Sequence, residues 1–264
     1  MDSNITTQQQ TMSSQLNNIV NFDFSKVIFE DPIEKSSKNG EVTFQEVKIS
    51  CLNDDGSKGP LLFPTELLSS YGVQDDVYGG RKTGYSLRLS LFSRGGGSQE
   101  EKEWYEAFEK SFMKSFKEKI ISNKQLYKQW DLELSDLKKL SPIYWKKDEK
   151  TGKLSEYGPS IFPKVLAYPR KDGSGYDFGT EFFDNDTDMP IDPLLVKGKC
   201  LIRAVLKIDS IFIGSKISLR LKIIEGGVTM LADGNKPGRL LASKRTSPTV
   251  KAVVEDEEEY YIDN

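Results

Sequence analysis

Residues 200–224, CLIRAVLKIDSIFIGSKISLRLKII, determine the fold because apolar and polar residues alternate along both halves of the stretch. Strict alternation predicts half-buried strands. Between the halves, Gly214-Ser215 predicts a two-residue loop with a type II′ turn, so the stretch is a β-hairpin. Its buried face is expected to carry Cys200, Ile202, Ala204, Leu206, Ile208, Ile217, Leu219, Leu221 and Ile223.

A two-residue loop at this place also fixes which residues pair across the hairpin. Ile208 is expected opposite Leu221, and Phe212 opposite Ile217. On the exposed face Asp209 is expected opposite Arg220, while Lys207 faces Lys222. Like charges directly opposite each other destabilise a sheet. A surface that meets a polyanion has a reason to place them there.

The rest of the chain predicts further strands, interrupted by helix. Residues 41–52 predict a strand that a bulge bends, and residues 85–92 a half-buried strand. After a glycine-rich loop, Ser98 is the expected N-cap of a helix with an aromatic stripe, and a second helical stretch is expected over 124–140. Short strands return at 143–147, 153–157 and 160–168. The stripe consists of Trp104, Phe108, Phe112, Phe116 and Ile120.

This order of elements predicts a mainly β protein with an inserted helix (α+β), an OB-fold-like Greek-key barrel. A β-sandwich with an inserted helix is the alternative. The predicted organisation is a flexible polar leader at 1–20, one OB-like domain at 21–232 with a helical insertion at about 98–140, a basic linker at 233–254 and an acidic aromatic tail at 255–264.

The amino-acid composition excludes several kinds of catalytic and metal site. The 264 residues contain no histidine, which excludes Ser-His triads and histidine-ligated metals, and no P-loop motif occurs. Cys51 and Cys200 are far apart and are expected in the core, and the acids at 184–188 lack the pattern of a calcium loop, so no cofactor and no metal is expected. The protein is therefore expected not to be an enzyme. Without a secretory signal or a long apolar run, it is expected to be intracellular and not in a membrane.

Cations and rings are interleaved on the exposed positions of the predicted strands. Single-strand nucleic-acid binding needs this combination, because cations follow the phosphates and rings stack on the bases. Each ring could instead belong to the core, and each cation to an ordinary solvated surface. The candidate phosphate-binding residues are Arg88, Lys146, Lys164, Arg203, Lys207, Lys216, Arg220 and Lys222, and the candidate stacking residues are Phe92, Tyr144, Trp145 and Tyr168.

The net charge of −3 is distributed unevenly along the chain. The last ten residues contribute −6, so residues 1–254 carry +3. A line of acids followed by rings imitates a single nucleic-acid strand, so the tail is expected to occupy the protein's own basic surface and to bind partner proteins when released. The alternative is a solubilising tail. Its binding residues are expected to be Glu255, Asp256, Glu257, Glu258, Glu259, Tyr260 and Tyr261.

The chain resembles single-stranded DNA-binding proteins of phages, and more closely those of nucleocytoplasmic large DNA viruses. The resemblance rests on four stretches, namely 59–73, which begins GPLLFPT, YSLRLSL at 85–91, IDSIFIGSKISLRLK at 208–222 and the acidic tail. It implies an oligonucleotide-binding barrel that coats single-stranded DNA during viral replication and recombination, in the host cytoplasm or nucleus. It also implies a tail that contacts replisome proteins such as a DNA polymerase or helicase, and a homodimer partner. The tail ends YYIDN rather than on an aromatic residue, a departure from that pattern.

A second function remains open at this point. The same strands and tail would suit a non-enzymatic viral structural or virion-associated β-protein whose acidic tail docks a partner. Binding to a single-stranded oligonucleotide separates the two hypotheses.

Overall fold

The computed structural model describes residues 15–36, 43–92, 97–154 and 158–231. One long helix, α1, runs as an α-helix through Gln99–Glu106, as a π-helix through Ala107–Phe112 and again as an α-helix through Met113–Ser122. Short 3₁₀ helices lie at Phe24–Lys26, Leu134–Lys139 and Pro193–Leu195. The strands are β1 (Val27–Phe29), β2 (Ile33–Ser36), β3 (Thr43–Leu52), β4 (Lys58–Gly59), β5 (Leu61–Pro64), β6 (Leu68–Tyr78), β7 (Arg81–Ser90), β8 (Ser160–Ile161), β9 (Lys164–Val165), β10 (Ala167–Pro169), β11 (Tyr176–Phe178), β12 (Glu181–Asp184), β13 (Pro190–Ile191), β14 (Lys197–Ile213) and β15 (Ile217–Met230).

The protein is mainly β, and its centre is a closed barrel of five strands. The strands follow one another as β14, β6, β7, β9 and β15, and the barrel closes because β15 also pairs with β14. The pairing of β9 with β15 is parallel, whereas β14 is antiparallel to both β6 and β15. The prediction of a mainly β fold with an inserted helix is confirmed at this level.

The hairpin of β14 and β15 has the predicted buried face. The residues predicted there are buried from Cys200 to Ile208 on β14 and from Ile217 to Ile223 on β15, whereas Phe212, also predicted on that face, is only half-buried. The predicted pairs Lys207–Lys222 and Ile208–Leu221 are also present.

Beyond Ile208 the predicted register is wrong by one residue. A bulge at Asp209 places Ser210, not Asp209, opposite Arg220, and Phe212 opposite Ser218. The strands therefore close at the pair Ile213–Ile217, and Gly214 lacks the positive φ that a type II′ turn requires. The extra residue turns the following side chains to the other face of the sheet, so Phe212 is only half-buried while Ile213 enters the core.

The other edge of β14 pairs with three strands in succession. Residues 197–202 pair with β6, 205–208 with β5 and 210–213 with β3. Strand β3 changes partners in turn, because its first half pairs with β2 and β14 and its last four residues pair with β1 or β4. Strands β1 to β4 thus extend the barrel beside the hairpin.

The aromatic stripe explains the π-helical turn inside α1. Four residues of an α-helix rotate by about 400°, so a strict i+4 stripe drifts by about 40° at each step. A π-helix has more residues per turn, and its presence at Ala107–Phe112 reduces this drift. All five stripe residues are buried, with Trp104 stacked on Phe108 at 5.2 Å between ring centroids.

Helix α1 packs on the strands next to the barrel. The indole Nε1 of Trp104 donates to the carbonyl oxygen of Pro64 at 2.9 Å. The ring of Phe112 lies 5.4 Å from that of Phe63, and Phe116 lies 4.9 Å from Phe29.

A second α-helix over 124–140 is not formed. Lys128 has a φ of 55°, which ends any helix there, and only the 3₁₀ helix at Leu134–Lys139 remains.

The predicted leader is partly wrong and the predicted tail lies outside the described residues. Asn17 and Ile19 are buried, and Leu16 forms a bridge with Leu62, so the residues just before 20 belong to the packed structure. Residues 1–14, 232–254 and the tail at 255–264 are not described. No helix within the described ranges is long and apolar enough to cross a membrane.

Candidate functional site

A groove of about 710 Å³ lies between the outer face of the β14–β15 hairpin and strands β2 to β4. We call it the basic groove, since its lining residues include six cations and three acids. It is lined by Glu30, Lys35, Glu46, Lys48, Ile49, Ser50, Lys58, Gly59, Pro60, Lys207, Asp209, Arg220 and Lys222.

The bulge at Asp209 organises one side of the groove. Its carboxylate accepts from the Nζ of Lys207 at 2.9 Å and from the Nζ of Lys222 at 2.7 Å. The Asp209 side chain is only 15% exposed. Burial alone would raise the pKa of this carboxyl, but the hydrogen bonds from Lys222 and Lys207 outweigh it and lower the pKa. The facing lysines predicted from the sequence therefore share a partly buried counterion, Asp209, which was not predicted.

Glu46 organises the opposite side in the same way. It accepts from Ser210 Oγ and from Arg220 Nη1, each at 3.1 Å, and it forms an ion pair with Lys35. Burial would raise the pKa of Glu46, yet its hydrogen bond with Lys35 and the charges of Lys35 and Arg220 lower it. Here too one buried carboxylate holds two cations.

The electrostatic result is an excess of positive charge. One carboxylate neutralises one cation, so the Asp209 and Glu46 clusters each retain about one positive charge. Lys58 pairs with Glu30 at 2.7 Å, and Lys48 adds a further exposed cation. The lining residues together carry three more positive charges than negative ones. Such a groove attracts anions, and its partly buried position weakens screening by salt.

A row of lysines continues from the groove across the barrel. Lys207 on β14 pairs with Lys222 on β15, and Lys222 pairs with Lys164 on β9. Adjacent strands lie about 4.8 Å apart, so the backbones of neighbouring lysines in this row are about that far from each other. Lys164 Nζ also contacts Asp76 at 2.7 Å, and its side chain is exposed.

Only part of the predicted phosphate-binding set lies in the groove. Lys207, Arg220 and Lys222 line it, and Lys164 adjoins it. Arg203 is exposed on β14, 4.0 Å from Glu66, and Lys216 is exposed in the hairpin loop. The remaining two lie elsewhere. Arg88 donates to Ser160 Oγ at 3.3 Å with its guanidinium 5.7 Å from the Tyr71 ring, and Lys146 is half-buried.

The predicted stacking residues are not part of the groove lining. Phe92 lies 5.5 Å from Tyr105 and 5.9 Å from Trp145 between ring centroids, and we call these three residues the ring cluster. Tyr144 is 52% exposed and lies 6.2 Å from Phe162, and Tyr168 is 57% exposed on β10. One aromatic side chain contacts a groove cation, since Phe212 lies 5.5 Å from the Arg220 guanidinium; Phe212 also packs on Phe44.

Sequence analysis missed the far wall of the groove, formed by Lys35, Lys48, Ser50 and Lys58. A signal for part of it existed. Because Val47, Ile49 and Cys51 point to the core, the alternating residues Lys48 and Ser50 lie on the opposite face of β3. Lys35 and Lys58 come from short strands whose pairing no local pattern indicates.

The groove lining presents cations and a few hydroxyl and carboxylate groups. Within the part of the chain that the structure describes, no three or more Cys, Asp or Glu side chains are grouped so as to hold a metal ion. Both cysteines are buried, and burial raises the pKa of Cys200 to about 11. Lysine, arginine and hydroxyl groups around an open groove suit phosphate oxygens.

Two viral proteins are similar to the chain. The "Early 31 kDa protein" of Frog virus 3 (isolate Goorha) is 25% identical over 170 residues, which are 64% of this chain and 63% of that protein. The "Uncharacterized protein 007R" of Invertebrate iridescent virus 3 is 26% identical over 165 residues, 62% of this chain and 35% of that protein. The chain thus spans less than two thirds of either relative.

A family model covers nearly the whole chain. It is described as "Protein of unknown function (DUF2738)" and matches residues 20–264, which include the barrel, the helix and every groove residue. The chain therefore belongs to the DUF2738 family.

Proposed function

We propose that this protein is a non-enzymatic single-stranded DNA-binding protein of viral DNA replication and recombination. The observation that carries the proposal is the basic groove, in which the buried Glu46 and the partly buried Asp209 each hold two cations and leave net positive charge beside strands of a barrel. Lysines held in this way are pre-ordered for phosphates, so binding costs less side-chain entropy.

The strand order supports an oligonucleotide-binding barrel. Numbered along the chain, the barrel strands β6, β7, β9, β14 and β15 are first to fifth, and they close in the order 1-2-3-5-4-1. The third and fifth strands are parallel. A closed five-stranded barrel with this strand order supports the proposal that it is a Greek-key barrel of the oligonucleotide-binding type. Helix α1 occupies the connection between the second and third strands.

The groove lies on the outer face of the hairpin formed by the fourth and fifth barrel strands, and the lysine row leads from it to the third strand, β9. The lysine row formed by Lys207, Lys222 and Lys164 runs across three adjacent strands, so a strand of nucleic acid following it would meet cations repeatedly. The name of the Frog virus 3 relative, an early protein, is compatible with a role in replication. Contacts of the acidic tail with replisome proteins, and a homodimer, belong to the same proposal.

The proposal is tested by titrating the full chain into a labelled oligo-dT and into a duplex of equal length, with fluorescence anisotropy as the readout. We expect tighter binding to the flexible single strand, which can bend into the groove. The logarithm of the affinity should fall with the logarithm of the salt concentration by about 0.7 per phosphate contacted. The variant Lys114→Glu/Lys119→Glu, on exposed positions of α1, is the control and should bind like the wild type. Absence of single-strand binding at low salt would contradict the proposal and favour the virion-associated alternative.

A further inference from the structure

The bulge at Asp209 places a ring on the face of the sheet that carries the basic groove. Without an extra residue in β14, alternation would keep Phe212 on the same face as the buried Ile208. With the bulge, Phe212 lies directly opposite Glu46 of β3, and residues paired in this way point to the same face of a sheet. Glu46 lines the groove, so Phe212 continues the groove surface toward the hairpin loop. Bulges beside functional sites commonly re-aim a side chain in this way.

A second ring, Phe44, lies beside Phe212. The ring centroids are 4.6 Å apart, and the ring planes are inclined by 36°. Phe44 on β3 is paired with Lys35 of β2, which also lines the groove. Both rings are half-buried. We call Phe44 and Phe212 the groove rings.

The groove rings differ from the ring cluster in what they pack against. Phe92 and Tyr105 are among the half-buried side chains that pack against the hydrophobic core. Within the part of the chain that the structure describes, Phe44 and Phe212 do not belong to that set. A contribution to the core therefore does not account for two aromatic residues at these positions.

Cations lie on both sides of the groove rings. Arg220 comes from β15 and Lys35 from β2, the strands that flank β14 and β3, and both residues line the groove. The guanidinium of Arg220 is 5.5 Å from the centroid of the Phe212 ring. The hairpin loop packs against the same ring, because a Cβ at Gly214 would lie 2.8 Å from it. Rings held between cations suit a nucleotide, since its base stacks on a ring while its phosphates pair with the cations.

Resting on the proposed function, we propose that the groove rings are the base-stacking end of the basic groove. A nucleobase packs on Phe44 and Phe212, and the phosphates on either side of it bind Arg220 and Lys35. Every base has a flat face, so this site gives affinity without a preference for sequence. It also favours single strands over duplex, because the bases of a duplex are already stacked on one another.

The test compares two labelled strands of equal length, oligo-dT and an abasic oligonucleotide with the same phosphates, by fluorescence anisotropy. The full chain should bind oligo-dT at least about fivefold more tightly than the abasic strand, the lower limit of what one stacked base contributes. The variant Phe44→Leu/Phe212→Leu keeps apolar side chains but no rings. It should lose this preference, with its affinity for the abasic strand within about twofold of wild type. Phe44→Tyr/Phe212→Tyr keeps flat rings and should retain the preference.

A second double variant, Phe92→Leu/Tyr105→Leu, is the matched control in the ring cluster. Because these rings pack against the core, it should lower the melting temperature and leave the preference for oligo-dT unchanged. Equal wild-type affinity for oligo-dT and the abasic strand would overturn this inference and leave the proposed function standing. An equal loss of affinity for both strands in Phe44→Leu/Phe212→Leu would make the groove rings structural and also overturn it.

A third strand, oligo-rU, separates the inference from the proposed function. If oligo-rU binds where oligo-dT does not, and Phe44→Leu/Phe212→Leu weakens its binding at least about fivefold, the assignment to DNA falls and the stacking site stands. If none of the three strands binds at low salt, the proposed function and this inference are both overturned.

Discussion

The basic groove and the ring cluster differ in what their side chains contact. In the groove, cations contact carboxylates and still line open space, as Lys207 and Lys222 do around the partly buried Asp209. In the ring cluster, Phe92 and Trp145 contact each other and Tyr105. Of the cations and rings that the sequence predicted as one binding surface, three cations thus line the groove and two rings lie in the ring cluster.

The difference shows how charge and aromaticity should be weighed in a sequence. A ring gains free energy by burial against other rings, so an aromatic residue beside a predicted strand is often structural. A lysine loses free energy by burial unless it is paired, so its ammonium stays near water. A prediction from sequence that a lysine or arginine is exposed is therefore more reliable than the same prediction for an aromatic residue.

The largest expected effect is on stability, in the variant Phe92→Ala. Phe92 contacts Tyr105 and Trp145, and Gly158 packs closely against it. Losing the ring should lower the free energy of unfolding by about 2–4 kcal/mol, measured by urea denaturation. The affinity of the folded protein for oligo-dT should change by less than about twofold, because the ring is not in the groove. A large loss of affinity at unchanged stability would make the ring cluster a base-stacking surface.

The variant Asp209→Asn should move stability and binding in opposite directions. Loss of the buried charge between Lys207 and Lys222 should lower the free energy of unfolding by about 1–3 kcal/mol. The groove becomes more positive, so affinity for oligo-dT should rise. Asp177→Asn, in the exposed pair with Arg170, is the matched control and should change stability by less than about 1 kcal/mol. A parallel fall of affinity and stability in Asp209→Asn would contradict the account of the groove.

Lowering the pH should reduce the contribution of the groove carboxylates to the free energy of unfolding. The ring cluster contains no carboxylate, so its contribution should not change in this way. Hydrogen bonds and charges lower the pKa of Asp209 and of Glu46 below their ordinary values, although burial opposes this. A carboxyl with a lowered folded-state pKa stabilises the fold above its unfolded pKa, about 4, and this contribution is lost as the pH falls through the folded pKa. Urea midpoints measured between pH 3 and 7 should therefore show a steeper loss below about pH 4 in the wild type than in Asp209→Asn. Parallel pH profiles would contradict the contribution of Asp209.

The smallest effects are expected at the exposed rings. Tyr144 and Tyr168 are more than half exposed, so changing either to alanine should alter the free energy of unfolding by less than about 0.5 kcal/mol. Anisotropy titrations of both variants should give affinities within about twofold of wild type. A tenfold loss in either variant would extend the binding surface beyond the groove.

Strands and faces were predictable where a local pattern exists. Alternation in β14 and β15 predicted the buried face, and capping by Ser98 with the i+4 stripe predicted α1. The bulge at Asp209 was not predictable, because its carboxylate contacts Lys207 on the same strand and Lys222 across the hairpin. The predicted second helix failed because a positive φ at Lys128 interrupts it, which no residue pattern there signals.

About half of the candidate site could be predicted from the sequence. The hairpin supplied Lys207, Arg220 and Lys222, since the pattern of one hairpin predicts which residues are exposed. The opposite wall comes from β2, β3 and β4, which are distant in sequence from the hairpin. Only tertiary pairing brings them to the groove, so Lys35 and Lys58 carried no signal.

The central claim is that the basic groove, rather than the ring cluster, binds single-stranded DNA. It is tested most directly by the triple variant Lys207→Gln/Asp209→Asn/Lys222→Gln, which removes the whole charge cluster and leaves no buried charge unpaired. Salt-dependent anisotropy titrations with oligo-dT should show about a tenfold lower affinity and a salt slope reduced by about 1 to 2, with Lys114→Glu/Lys119→Glu unchanged. Wild-type affinity and salt slope in the triple variant, at wild-type stability, would contradict the claim.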